Sequence, residues 1–338
     1  KARRGIFSRK KYFKFLKYIG LFDFVDQLLD ISTPTEKDVD YCLKRQGPYC
    51  PKMIEYIVKH KDDFDAFIFF TYLYYPTAVG MPLVRDKSIF IPTAHDEKIM
   101  FTKAYENIFS QAAYIMFNSY SEKKLVEDNF KDVAQQNAVA GVGIPLTPEV
   151  PNVTNILKDF SVEGPYFIYI GRIDKSKGCD ELIAYFERYA VEEPSVKLVL
   201  VGKNYMDVVG RDNLLLTGFI DDDLKNALLK NSEGLIIPSK HESLSMVALE
   251  ALAAGKSIIV NGDCEVLRDH VSHSGTGKYY HNYEDFRNQL NQTIGLTAQE
   301  KTVISEKAIK YVKENYCWDT IIKKFDVAIQ YIHDQSAV

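Results

Sequence analysis

The sequence predicts an α/β protein made of two doubly wound, Rossmann-like domains in tandem. Continuous apolar runs of strand length alternate with helix-length segments, the pattern of parallel strands covered on both faces. A stretch rich in Gly and Pro and without helical period, Gly141–Pro151, interrupts this alternation, which then restarts. The 338 residues are enough for two domains of ordinary size, each with its own core.

Before the first acid, Asp23, the chain carries Lys1, Arg3, Arg4, Arg9, Lys10, Lys11, Lys14 and Lys17, interleaved with Phe7, Tyr12, Phe13, Phe15, Leu16 and Tyr18. This basic, aromatic arm has two readings. One is contact with an anionic membrane surface or a phosphate-bearing acceptor. The other is a solvated helix whose aromatics pack on its own domain. Asp65–Phe70, Ser88–Asp96 and Ala113–Ser119 then read as strands of a first domain taken as residues 1–150. A second domain, 151–320, is expected to hold strands at Tyr166–Ile170, Val196–Val201, Leu214–Thr217, Gly234–Ile237 and Ser257–Val260. Helices are expected between them at Cys179–Ala190, Asp222–Lys230 and Met246–Ala254. The last of these is rich in strong helix formers, has Ser243 and Ser245 as N-cap candidates, and ends at Gly255, which suits a left-handed terminus. From Ala298 onward the chain is mostly helical, with helix periods around Ile309, Val312, Ile321, Phe325 and Ile329, and a final helix, 321–338, is expected to return to the first domain.

Hydrophobic content of 46% and charged content of 26% exclude disordered and fibrous classes. No apolar run approaches the ~20 residues of a membrane span, and no signal-peptide pattern is visible. The 5 cysteines are scattered without a Cys-x-x-Cys pair, so neither a disulfide framework nor a zinc site is suggested. A reducing cytoplasm is the expected location, with peripheral contact at the inner face of the membrane if the arm serves that purpose. A net charge of −4 argues against general nucleic-acid binding.

Two segments carry chemistry. Gly171-Arg-Ile-Asp-Lys-Ser-Lys-Gly178 joins a strand to a helix: glycine at the strand end lets the backbone approach a ligand, the helix N-terminus favours an anion, and Arg172 and Lys177 add cations. Such a loop suits a diphosphate, although a solvent-facing loop accounts for the octapeptide alone equally well. It is neither Gly-x-Gly-x-x-Gly nor a Walker loop. The other segment, Pro238 to Gly255, holds Glu242 and Glu250 at the carboxyl end of a strand, where open α/β sheets place their ligands.

Together, Gly171-Arg-x-Asp-x-x-Lys-Gly178 and Ser239-x-x-Glu-Ser-x-x-x-Val-x-Leu-Glu-Ala251 resemble the retaining glycosyltransferases of family 4, whose GT-B fold sets two Rossmann-like domains facing across a cleft. Val201-Gly-Lys203, Thr217-Gly-Phe219, Gly275-Thr-Gly277, Thr93-Ala-His-Asp96 and Asn118-Ser-Tyr-Ser-Glu122 match further family segments in order. The resemblance runs from about Asp65 to Trp318 and is strongest after Tyr166.

The resemblance implies a catalytic set of Glu242, Arg172, Lys177 and His95. Arg172 and Lys177 would hold the donor diphosphate and neutralise charge growing on it, without a metal or other cofactor. Glu250 would accept from ribose hydroxyls. Glu242 would position the donor sugar, Ser243, Leu244, Ser245 and Met246 would offer backbone amides, and His95 would face the sugar from the opposite domain. Gly171, Gly202, Lys203, Phe219 and Ile220 complete the implied donor site. A double-displacement glycosidase would set two carboxyls ~5 Å apart with one as nucleophile. The family instead implies front-face attack with retention, so Glu242 reads as a positioning and electrostatic residue. The expected function is transfer of a hexose from a UDP- or GDP-linked sugar to a glycan or lipid-linked acceptor in cell-envelope polysaccharide synthesis. The alternatives are a non-catalytic sugar-nucleotide-binding or scaffold subunit and a GT-B sugar-nucleotide epimerase. Two departures stand out. Lys1 to His60 shows no glycine-rich turn after a strand, so the opening of the first domain is expected to be missing or divergent. Ser-Leu-Ser245 follows Glu242 where glycine or phenylalanine is frequent.

Overall fold

The computed structural model describes residues 36–146 and 164–336. The basic arm and the part of the interdomain stretch from residue 147 onward lie outside the described residues. The first domain runs α1 (Glu36–Leu43), α2 (Pro51–His60), β1 (Phe67–Phe70), α3 (Tyr75–Gly80), β2 (Ser88–Ile91), β3 (Tyr114–Phe117), α4 (Tyr120–Asn129) and β4 (Asn137–Val139). Its strands are parallel and lie in the order β1-β2-β3-β4, so the winding does not reverse among the described residues.

The second domain follows as β5 (Tyr166–Ile170), α5 (Cys179–Glu192), β6 (Lys197–Val201), β7 (Leu214–Gly218), α6 (Asp222–Asn231), β8 (Gly234–Ile237), α7 (Met246–Ala253), β9 (Ile258–Asn261), α8 (Glu265–Ser274), β10 (Lys278–Tyr280), α9 (Tyr283–Ile294) and α10 (Ala298–Asn315), with α11 (Trp318–Ser336) last. Its parallel sheet has the order β10-β9-β8-β5-β6-β7. Winding therefore reverses between β5 and β8, and the loops leaving those two strands open side by side at the carboxyl edge, where such sheets form a crevice.

Strand alternation builds a core on each face of this sheet. Ile168 and Val199 point to the face covered by α7 and α10, whereas Phe167, Tyr169, Leu198 and Leu200 point to the face covered by α5 and α9. Burial on both sides explains why β5 and β8 read as unbroken apolar runs and why β6 and β9 carry a polar residue only at one end. In the first sheet, Phe90, Ile115 and Phe117 enter one core, and Ile89, Ile91, Tyr114 and Met116 meet Ala328 and Ile332 of α11 on the other face. The last helix thus lies on the first sheet. Lys324 adds a polar tie, its Nζ donating to the carbonyls of Val139 (3.0 Å) and Ala140 (3.1 Å).

The domains also meet beside the cleft. The Ser121 hydroxyl of α4 donates to Asp269 of α8, and Tyr120 lies 5.9 Å from the His273 ring, centroid to centroid. Near the crossover, the Ile144 amide donates to the Tyr316 carbonyl at 2.7 Å. Among the described residues no helix is long and apolar enough to cross a membrane.

Candidate active site

Glycines bring the crevice loops together. Gly171 (φ +150°) and Gly202 (φ +137°) end β5 and β6 in conformations that L side chains rarely adopt, and a Cβ on Gly202 would stand 1.9 Å from the Gly171 carbonyl oxygen. A Cβ on Gly178 would stand 2.5 Å from the Pro238 carbonyl oxygen, so the loop after β5 seats directly on the end of β8.

Within that loop Asp174 caps a short turn, its carboxylate accepting from the Lys177 amide at 3.0 Å and the Ser176 hydroxyl at 2.6 Å. The Ser176 hydroxyl foremost, then the Lys177 amide and Arg172, hold the Asp174 carboxyl below its ordinary range. The two cations are placed differently. The Lys177 side chain is 34% exposed and its Nζ lies 2.8 Å from Oε1 of Glu242, which is only 15% exposed. Arg172 is 62% exposed, with Nε 3.4 Å from Asp174.

Glu250, on the second turn of α7, has Oε2 3.2 Å from Nζ of Lys225 in α6, and that ammonium also lies 2.9 Å from Asp222. Burial pulls the Lys225 pKa down, but Asp222 and Glu250 together raise it above its ordinary value. Lys225 is absent from the sequence-based set. Its visible signal, Asp222 three residues before it in a helix, is shared by many solvated helix faces.

The start of α7 departs from expectation. Ser245 is the N-cap residue, but its backbone is left-handed (φ 62°, ψ 75°) and its side chain makes no capping bond. The expected Ser243 or Ser245 cap is therefore corrected: a conventional cap has extended backbone and aims its oxygen at the first turn, which the left-handed geometry prevents. The Ser245 Oγ is instead buried without a hydrogen-bond partner among the described residues. Ser243 is half-buried, Leu244 is buried and Met246 is exposed. Lys203 lies over the Tyr205 ring at 5.1 Å, Phe219 is 91% exposed after β7, and Ile220 is half-buried before α6.

A cavity of about 610 Å³ separates the domains. His95, Ser121 and Glu122 line it from the first domain, and His241, Glu242 and Asp263 from the second. His95 and Glu242 thus share one space, which Arg172, Lys177 and Glu250 do not line. Lys177 reaches its edge through Glu242.

The His95 segment is held by strained and buried groups. Thr71 (φ 66°) and Thr93 (φ 54°), each just beyond a strand end, are left-handed, and their hydroxyls are 3.2 Å apart. Glu122 is buried, with Oε1 accepting from the Ala94 amide and Oε2 from the Asn118 amide, each at 2.5 Å. Burial pushes the Glu122 carboxyl up to about 8 against those amides. The sequence resemblance touches Glu122 only as the end of a serine turn and gives no sign of its bond to the loop before His95.

The architecture is GT-B. Structural neighbours include Anabaena Alr3699/HepE, solved in complex with UDP, which superposes with a TM-score of 0.70 at 15% identity over 84% of this chain and 84% of that one. Residues 158–311, most of the second domain, match the model of the family described as "Glycosyl transferases group 1". Over 198 residues the chain is 29% identical to the Salmonella typhimurium lipopolysaccharide 1,2-N-acetylglucosaminetransferase, covering 51% of this chain and 49% of that protein. It is 27% identical over 169 residues to the uncharacterized glycosyltransferase MJ1607 of Methanocaldococcus jannaschii, covering 46% and 42%. The matched regions span somewhat under half the length of these curated relatives.

Proposed function

We propose that this chain is a retaining glycosyltransferase that moves a hexose from a UDP- or GDP-linked donor to a glycan or lipid-linked acceptor in cell-envelope polysaccharide synthesis. One observation carries the reading: the Lys177–Glu242 pair sits where the loops of β5 and β8 meet, at the edge of a cavity that His95 closes from the other domain. A diphosphate entering there would compete with Glu242 for the Lys177 ammonium, with Arg172 beside it, and place charge where the glycosidic bond breaks. In this reading the acceptor hydroxyl attacks the anomeric carbon on the face the leaving group departs from. The new C–O bond forms as the old one breaks, and the departing phosphate oxygen takes the acceptor proton. Glu242, released from Lys177, and His95 would then orient the sugar. No metal is needed, because the lysine, the arginine and the free amides at the start of α7 meet the anion. Phe219 and Ile220 would border the base. The Salmonella relative and the UDP-bound neighbour support donor chemistry of this kind, and contact of the basic arm with an anionic membrane remains part of the proposal.

The test is a thermal-shift panel with UDP, GDP and ADP on the wild-type chain and on Glu250→Ala. A nucleotide at a hundred times its dissociation constant adds ~2.7 kcal/mol of stability. One nucleotide is expected to raise Tm in the wild type and to lose that effect in Glu250→Ala. The variant itself should fold with a cost of no more than about 1 kcal/mol, because Lys225 keeps Asp222 as partner. Stabilisation by none of the three would remove the donor-site reading and favour a scaffold subunit.

A further inference from the structure

The buried histidine behind the loop that leads into α7 has no part in the reaction just described. His270, on α8, is 2% exposed. Its Nε2 lies 2.7 Å from the Leu244 carbonyl oxygen and its Nδ1 lies 3.0 Å from the Tyr311 hydroxyl of α10. A carbonyl can only accept, so Nε2 carries the proton and donates. Burial lowers the imidazole pKa and favours the neutral ring, in which Nδ1 accepts from the Tyr311 hydroxyl and the longer 3.4 Å contact between Tyr311 and Tyr316 is then donated by Tyr316.

The bond to Leu244 decides which way the next amide faces. The peptide between Leu244 and Ser245 is trans and planar, so its carbonyl and its N–H point in opposite directions. With the carbonyl drawn back onto His270, the Ser245 N–H faces away from α8. Among the described residues no acceptor meets the amides of Ser245, Met246 or Val247. Ser245 also holds its left-handed backbone without help from glycine, a conformation that persists only where neighbours enforce it. The imidazole is the polar neighbour that grips this peptide.

We propose that His270 is a positioning residue for the donor diphosphate: it holds the Leu244 carbonyl so that the Ser245 amide is presented to the anion, and Tyr311 holds the imidazole. This rests on the donor reading above. The same helix touches the first domain through Asp269 and His273, so the loop amide is braced by the element that meets the opposite side of the cleft.

The experiment compares binding of UDP with uridine, and of GDP with guanosine, by calorimetry on the wild-type chain, His270→Phe, His270→Gln and Tyr311→Phe. The nucleosides lack the anion, so a general loss of structure lowers both members of a pair, whereas a misdirected amide lowers only the diphosphate. His270→Phe keeps a ring in the same buried place and deletes both bonds. The ratio of diphosphate to nucleoside affinity is expected to fall at least ~10-fold, the worth of one charge-assisted hydrogen bond. His270→Gln, whose amide N–H can still donate to the carbonyl, is expected to recover most of it. Tyr311→Phe keeps the Leu244 bond and is expected to show a fall of about threefold, corresponding to a weaker, indirect hydrogen-bond effect; this decides the matter should His270→Phe not fold. An unchanged ratio in the folded variants overturns the inference while leaving the donor site standing. A wild-type chain that binds neither UDP nor GDP removes both.

Discussion

Lys177→Ala is expected to lower turnover by at least ~10²-fold while leaving the fold intact, the scale of loss when a charge contact to the transition state is removed. The fold should survive because the lysine is partly exposed and on a loop at the cleft, so that leaving Glu242 without its partner costs no more than the roughly 3 kcal/mol at the low end for breaking a buried pair. The catalytic loss has two conceivable origins that the geometry separates. Removing Lys177 takes a cation from the departing phosphate, and it also leaves Glu242, at 15% exposure, without its 2.8 Å partner and facing an incoming anion. Lys177→Ala combined with Glu242→Gln distinguishes them. If the missing phosphate contact dominates, the double variant stays as slow as the single one. If the orphaned carboxylate dominates, the second change restores much of the rate. Arg172→Ala is expected to act in the same direction. Single-turnover kinetics with the donor identified by the nucleotide panel provides the measurement, and unchanged turnover in both Lys177→Ala and Arg172→Ala would sink the assignment of this loop.

The parts of this molecule that could be read from the chain are those enforced by local covalent and packing rules. Tyr166–Ile170 and Gly234–Ile237 are apolar throughout, and Lys197–Val201 is so after its first residue, because both faces of their sheet are covered; strand length and flanking glycines then separate such runs from buried helix. Edge strands carry far less. Asn137–Val139 and Lys278–Tyr280, 3 residues each, go unnoticed because a run that short has no period to detect. The loop cations and the Glu242/Glu250 pair are legible as residue types at a spacing, but their partners are not. Lys177 meets Glu242 65 residues away, and Glu250 meets Lys225 across two elements. The same limit hid His270 and the bond from Glu122 to Ala94, since both act on backbone groups remote in sequence. Ser245 shows the opposite failure. A serine before a helix argues for a cap by propensity, and tertiary contacts that hold its backbone left-handed overrule the preference.

Gly202→Ala is expected to destabilise the second domain by about 4 kcal/mol or more, an effect beyond the usual range for a single methyl group. The new Cβ would lie 1.9 Å from the Gly171 carbonyl oxygen and 2.8 Å from its carbon, both backbone atoms. Neither side can yield cheaply. The Gly171 amide donates to the Val201 carbonyl at 2.9 Å, and the Gly202 amide donates to the Gly218 carbonyl at 2.9 Å, so withdrawal breaks the ladder between β5, β6 and β7 at the crevice. Gly218→Ala is the matched control. Gly218 is also left-handed (φ +70°), but nothing lies within 4 Å of its would-be Cβ, so only the backbone preference is lost, roughly 1–2 kcal/mol. Urea unfolding of the two variants measures the difference. Costs within ~1 kcal/mol of each other would mean that the strand ends part readily and that the close approach is not required. A large gap would locate the constraint at the contact itself, and since Gly171 opens the loop that carries Arg172 and Lys177, the folded fraction of Gly202→Ala should also bind nucleoside diphosphate more weakly than Gly218→Ala does.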